Sequence, residues 1–314
     1  MIASFLTVGQ QVLELFIILA IGFVLGKTNL VTDEGNRVLS NVVLYVVSPC
    51  MLISAFQRDL VLSDLSNFAI CFGLAIVIQV GSIFVAKLTI RNKDPFTKDV
   101  LQFSAIFSNC GYMAYPLQTA LLGTIGVFLG SAYVAVFYLL VWTYGIYLMS
   151  KDKSLLKAKP ILTNPGFLGV IVALVLYLAS ISLPEIILTP INYLASLNTP
   201  LPMIIIGYQL SKANIKSVLK EKASYIAAAV RLIIIPLIAI ALCLILRLDL
   251  TLTTAIAIAA STPPGTIIGM FCAMLKKDSS FASSLLSAET VISIITMPLM
   301  VGLARYLCML VILS

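Results

Sequence analysis

Two short stretches of this chain combine helix breakers with small polar residues, and chemistry would reside there. One is Asn109-Cys110-Gly111-Tyr112-Met113-Ala114-Tyr115-Pro116; the other is Ser261-Thr262-Pro263-Pro264-Gly265. Proline removes a backbone donor and clashes with the preceding turn, so a helix running into either stretch breaks. The second half of a broken helix presents an N-terminus with free N–H groups and partial positive charge. Such an end holds a carboxylate without needing a cationic side chain. Asn109, Ser261 and Thr262 add side-chain hydrogen bonds, and Gly111, Tyr112, Pro116, Pro263, Pro264 and Gly265 complete the candidate substrate-binding set. The chemistry implied is reversible holding of an anion, not bond breaking. The chain has no histidine, which excludes His-based zinc sites and His-assisted nucleophiles. Its six cysteines show no CxxC spacing and read as small packing residues. No catalytic residue, metal site or cofactor is expected, so the chain does not read as an enzyme.

Two further residues stand out because they are ionisable within apolar runs. Arg231 lies nine residues past Lys222, and Glu289 nine past Ser280. Both runs start from the same side, so the side chains sit at similar depth. A charge there costs a few kcal/mol or more unless it is paired or faces water. The expectation is an ion pair, structural or coupled to transport.

These residues need elements to position them, and composition says what kind. The chain is 61% hydrophobic and 11% charged over 314 residues. Globular domains average roughly 45–50% apolar and about 25% charged, so the bilayer is the solvent. A span needs about 20 mainly apolar residues. Ten segments qualify, near 5–26, 38–57, 67–90, 99–122, 126–150, 166–183, 187–210, 223–246, 251–274 and 283–313. The runs are continuously apolar, which selects helices over a barrel. Residues 5–26 have no positive charge before them, so they read as a first span, not a cleavable signal. The fold class is an all-α polytopic membrane protein.

Charge sets orientation. With the N-terminus outside, the inward loops hold sixteen of the twenty basic residues, among them Lys27, Arg37, Lys157, Lys216 and Lys277; the outward loops hold Arg58 and Arg247. This asymmetry puts both termini outside a cell membrane, plasma or inner. The inward lysines face lipid headgroups, and no soluble domain presents them to nucleic acid. Five spans precede the polar linker at 151–165 and five follow. The expected organisation is therefore a first five-helix repeat (1–150), a cytoplasmic linker (151–165) and a second, inverted repeat (166–314). The breakers sit at matching places: Pro49 to Pro200 spans 151 residues, and Pro116 to Pro263 spans 147. Pro49 and Pro200 are expected kinks in the second and seventh spans. The fourth and ninth spans break roughly 15–18 Å deep, near midplane, where inverted-repeat carriers hold substrate.

The run GFVLGKTNLVTDEGNRVLSNVVLYVVSPCML, with FSNCGYMAYPL and SAETVISIITMPLM, resembles the auxin efflux carrier family over essentially the whole chain. The resemblance implies ten helices in two inverted repeats, a plan shared with bile-acid symporters and sodium/proton antiporters, with the fourth and ninth crossing. It implies export or exchange of organic anions such as malate, malonate or auxin. Asn109 and Pro116 match the family's crossover in the fourth span, and Pro263 that of the ninth. The chain departs in two ways: its linker is short where many plant members have a long cytoplasmic loop, and it has Glu289 where relatives usually carry a small or hydroxyl residue.

The expected function is secondary-active transport of small organic anions by alternating access. Alternatives left open are a sodium-coupled symporter of the bile-acid type and, from another class, a channel or membrane sensor. Proton or sodium coupling are both allowed by the residues. Small residues such as Gly166 and Gly169 suit helix packing within a protomer or in a homodimer.

Overall fold

A computed structural model describes residues 2–156, 159, 162–214 and 218–313. Lys157 and Lys216 lie outside the described residues. In chain order the helices are α1 (Ile2–Lys27), α2 (Asp33–Phe56), α3 (Leu62–Thr89), α4 (Pro95–Ile106), α5 (Ala114–Leu122) and α6 (Thr124–Ser150). They continue as α7 (Pro165–Leu178), α8 (Glu185–Ser196), α9 (Pro200–Lys212), α10 (Lys222–Ile245), α11 (Leu250–Ser261), α12 (Ile267–Met274) and α13 (Ser280–Leu313). Six of these, α1, α2, α3, α6, α10 and α13, contain apolar stretches long enough to cross a membrane, and α7 and α11 are shorter apolar helices. The chain is a polytopic helical membrane protein. Among the described residues there is no strand, only one isolated antiparallel bridge.

Polar residues set the helix starts. Thr32, Asp94, Asn164 and Asp249 accept hydrogen bonds from the N–H three residues on, and α4 and α7 open on proline. At Asp94, outside the apolar helices, hydrogen bonds from Thr97 hold the carboxyl below the usual range. Inside, burial organises the rest. Helix α6 is the most buried of the long helices, packed against α2, α3, α5, α7 and α11. Phe56, Phe68, Phe128 and Tyr177 interlock there, with Phe56 and Phe128 ring centres 4.6 Å apart. Leu13, Ile17 and Ile21 of α1, Val77 and Phe84 of α3 and Ile245 of α10 face outward, as lipid-facing surface does.

Three long helices contain a π-helical turn, at Val43–Val47, Val141–Gly145 and Val230–Ile234. The first and third lie just before Pro49 and Pro236. The wider turn takes up the proline's missing donor, so α2 passes Pro49 without a break. The seventh expected span does part, into α8 and α9, with Pro200 as the first residue of α9. The two proline sites face each other: the buried Ser48 hydroxyl donates to Asn198 Oδ1 at 3.4 Å.

Candidate functional site

The fourth and ninth expected spans are both interrupted, between α4 and α5 and between α11 and α12. Helix α4 ends at Ile106 and Phe107 is extended (φ −99°, ψ 106°); α11 ends at Ser261 and Thr262 is extended (φ −67°, ψ 149°). The two extended stretches pair. Asn109 N–H donates to Pro263 O at 2.7 Å, and Gly265 N–H donates to Phe107 O at 2.8 Å. Ser108 and Pro264 form the antiparallel bridge between them. The interruptions thus satisfy each other's backbone, which buried polar backbone requires. Proline is tolerated at 263 and 264 because the bridge uses only the Pro263 carbonyl. Glycine at 265 keeps the approach close: an added Cβ would lie 3.3 Å from Ser108 O, a tight contact.

Around the crossing, side chains finish the turns. Asn109 Oδ1 accepts from Tyr112 N–H at 3.3 Å, and its carbonyl accepts from Met113 N–H at 3.1 Å, which opens α5. Thr262 Oγ1 donates back to Ala259 O at 3.1 Å.

A cavity of about 420 Å³ abuts the crossing, within the range of small-molecule sites. From the crossing, Ser108, Asn109, Gly111, Tyr112, Gly265, Thr266 and Ile267 line it. Helix α2 adds Arg37, Ser40, Asn41 and Leu44; α6 adds Val134, Phe137 and Tyr138; α9 adds Ile205 and Gln209; Asn164 caps α7 beside it. The beginning of α12 and the turn leading into α5 are therefore on one wall. The wall is largely aromatic and aliphatic, with a few polar groups and a single arginine at its edge.

Of the residues singled out from the sequence, Asn109, Gly111, Tyr112 and Gly265 line this cavity. Pro116, Ser261, Thr262, Pro263 and Pro264 do not; they are buried and build the frame behind it. Sequence reasoning missed Arg37, Ser40 and Asn41, although their i, i+3, i+4 spacing puts them on one helix face. It also missed Gln209, which no local pattern marks, and Asn164, whose place before Pro165 marks a helix start and not a site.

Arg231 and Glu289 behave differently from the expected pair. Both are buried, at 0% and 1% exposure. Yet no ion pair joins them. Arg231 Nη1 donates to Ala105 O at 3.4 Å and Ile106 O at 3.2 Å, and Nη2 donates to Ala260 O. Glu289 Oε1 accepts from Ser104 Oγ at 2.7 Å. The correction has a physical reason: the last carbonyls of α4 and α11 lack intrahelical partners and take both Nη atoms of the guanidinium, while Arg231 Nε and Glu289 Oε2 find no hydrogen-bond partner among the described residues.

The family described as "Membrane transport protein" matches residues 7–301. The chain belongs to this family, that of the auxin efflux carriers. Among curated relatives, an uncharacterized transporter of Methanocaldococcus jannaschii is 25% identical over 221 residues, covering 65% of this chain and 70% of its own. An uncharacterized transporter of Methanothermobacter thermautotrophicus is 22% identical over 299 residues, covering 92% and 96%. Similarity to the second relative thus takes in both helix interruptions.

Proposed function

We propose that this auxin efflux carrier family member is a secondary-active transporter of small organic anions, working by alternating access at the crossing. In this reading the crossing spans are α4 with α5 and α11 with α12, α8 and α9 make another, and ten spans form two inverted repeats, 1–150 and 166–314, joined by 151–165. The observation that carries it is the pair of backbone bonds at 2.7 and 2.8 Å that brings both interruptions to one wall of the 420 Å³ cavity. Helix beginnings there carry partial positive charge, which favours a carboxylate. Phe137, Tyr138 and Tyr112 suit an apolar body, and Arg37 at the edge attracts charge as the anion arrives. An aromatic or short-chain carboxylate such as an auxin-like acid, malate or malonate fits better than a highly charged ligand.

The test is uptake of labelled malate, malonate and indole-3-acetate into proteoliposomes, wild type beside Asn109→Ala, with and without sodium and at two pH values. Saturable uptake of one acid, lost in a folded Asn109→Ala protein, is the expected result. Uptake unchanged in that variant removes the crossing as the site; uptake strictly dependent on sodium favours the bile-acid-symporter type of coupling.

A further inference from the structure

Each crossing half-helix that ends at the centre brings a charge with it. The C-terminus of a helix carries about half a negative charge, and α4 and α11 both end there. Together they amount to about one negative charge, held in the protein interior. In inverted-repeat carriers such ends, with unwound carbonyls, coordinate the coupling sodium or proton. Here those positions are taken. The Arg231 guanidinium donates to Ala105 and Ile106 at the end of α4 and to Ala260 at the end of α11. Its one positive charge equals the two half-charges in size and is opposite in sign. A buried charge is costly; the two helix ends offset it, with the Tyr133 side chain and the nearby Glu289 carboxylate also acting on the guanidinium. The π-helical turn Val230–Ile234 contains Arg231, and such turns recur at functional sites.

We infer that Arg231 is a resident counter-ion: it fills, from within the chain, the place between the two half-helix ends where a coupling cation binds in carriers of this plan. A sodium ion there would meet occupied carbonyls and a like charge. Glu289 stands near enough to feel the guanidinium but makes no ion pair with it; one oxygen of its carboxyl is bound one residue earlier on α4, by Ser104. The charge left uncompensated at the crossing is then that of the helix beginnings facing the cavity, which is the charge an anionic substrate neutralises. This inference rests on the carrier reading above and deepens it.

The experiment uses the purified full chain as wild type, Arg231→Lys and Arg231→Met. Thermal unfolding in detergent is followed in sodium, potassium and choline chloride at equal ionic strength, and labelled malonate uptake is measured in proteoliposomes. Wild type should melt at one temperature in all three salts and transport equally with or without sodium. Arg231→Lys keeps a cation and should retain uptake. Arg231→Met keeps length but not charge; in choline it should lose uptake by about tenfold or more, because charged hydrogen bonds to buried carbonyls are removed. Its melting temperature should rise with sodium and not with choline, a response that a merely structural arginine would not leave behind. A sodium-specific rise in the wild type overturns the inference, as does a folded Arg231→Met with wild-type uptake in choline. Should Arg231→Met not fold, the wild-type salt series and Arg231→Lys decide: a folded but inactive lysine variant also overturns it. If even wild type takes up no malonate, that substrate assignment fails by itself, and the salt series on melting still judges the counter-ion.

Discussion

Gln209 presents a buried side-chain oxygen to the cavity, and among the described residues that oxygen has no hydrogen-bond partner. A buried acceptor left open costs free energy, so its retention at a cavity wall points to a donor that arrives with substrate or its water. Gln209→Ala should therefore leave stability within about 1 kcal/mol of wild type. The same change should raise KM for the transported acid by about three- to tenfold, the worth of one hydrogen bond. Melting curves and uptake kinetics check both; a lowered melting temperature with unchanged KM would make Gln209 a packing residue. At this scale the sequence was informative where local rules operate. Asn109, Gly111, Tyr112 and Gly265 stood out because breakers beside polar residues are unusual in an apolar run. Arg37 was legible too, but it was counted with the loop before the span, and its place on a face with Ser40 and Asn41 was overlooked. The pairing of Arg231 with Glu289 failed for a different reason: matched depth was readable, while the acceptors that won are backbone carbonyls, which side-chain reading does not weigh.

At the scale of elements, small residues decide how closely helices approach. Helix α1 packs along α9, and an added Cβ at Gly207 would collide with Leu19 O and lie 2.8 Å from Phe23 N. At Gly22 it would collide with Ile204 O. Both obstacles are backbone, so neither can swing aside. Close approach through small residues is the usual means of packing helices in lipid. Gly207→Ala should destabilise the protein by about 1–3 kcal/mol, the cost of overpacking. Gly73→Ala on α3, where nothing lies within 4 Å, should be neutral or slightly stabilising through helix propensity. Thermal melts of the two variants separate close packing from a general intolerance of alanine. Proline was a less uniform guide to elements than its chemistry suggests. The helix interruptions before Pro116 and at Pro263 were readable from breakers and polar neighbours. At Pro49 a π-helical turn absorbs the defect and α2 continues, whereas at Pro200 the chain turns first and a new helix starts. Which outcome occurs depends on neighbours packed around the proline, and those come from distant parts of the chain.

At the scale of the whole molecule, proline spacing and charge both bear on the arrangement. Ser48 meets Asn198, 150 residues on, close to the 151-residue offset between Pro49 and Pro200. The cavity is walled at its edge by Arg37, Ser40 and Asn41 in the first turns of α2 and by the cap of α7. Those starts follow Lys27 and Lys151, so the cavity lies toward the basic end of the molecule. We propose that this end faces the cytoplasm, where basic loops collect, which makes the state described open inward. Ser40→Cys provides a near-isosteric probe of this arrangement. The native cysteines are buried except Cys50, which is half-buried, so Cys50→Ser gives the background. A membrane-impermeant maleimide should label Ser40→Cys in inside-out vesicles and not in right-side-out ones. The transported acid should slow labelling at concentrations near its KM, because it occupies the same space. Labelling from the outer face alone would reverse the orientation and place the basic loops outside, against the charge asymmetry. Labelling from the inner face without protection by any transported acid would keep the orientation and move the substrate away from α2, toward the far side of the crossing.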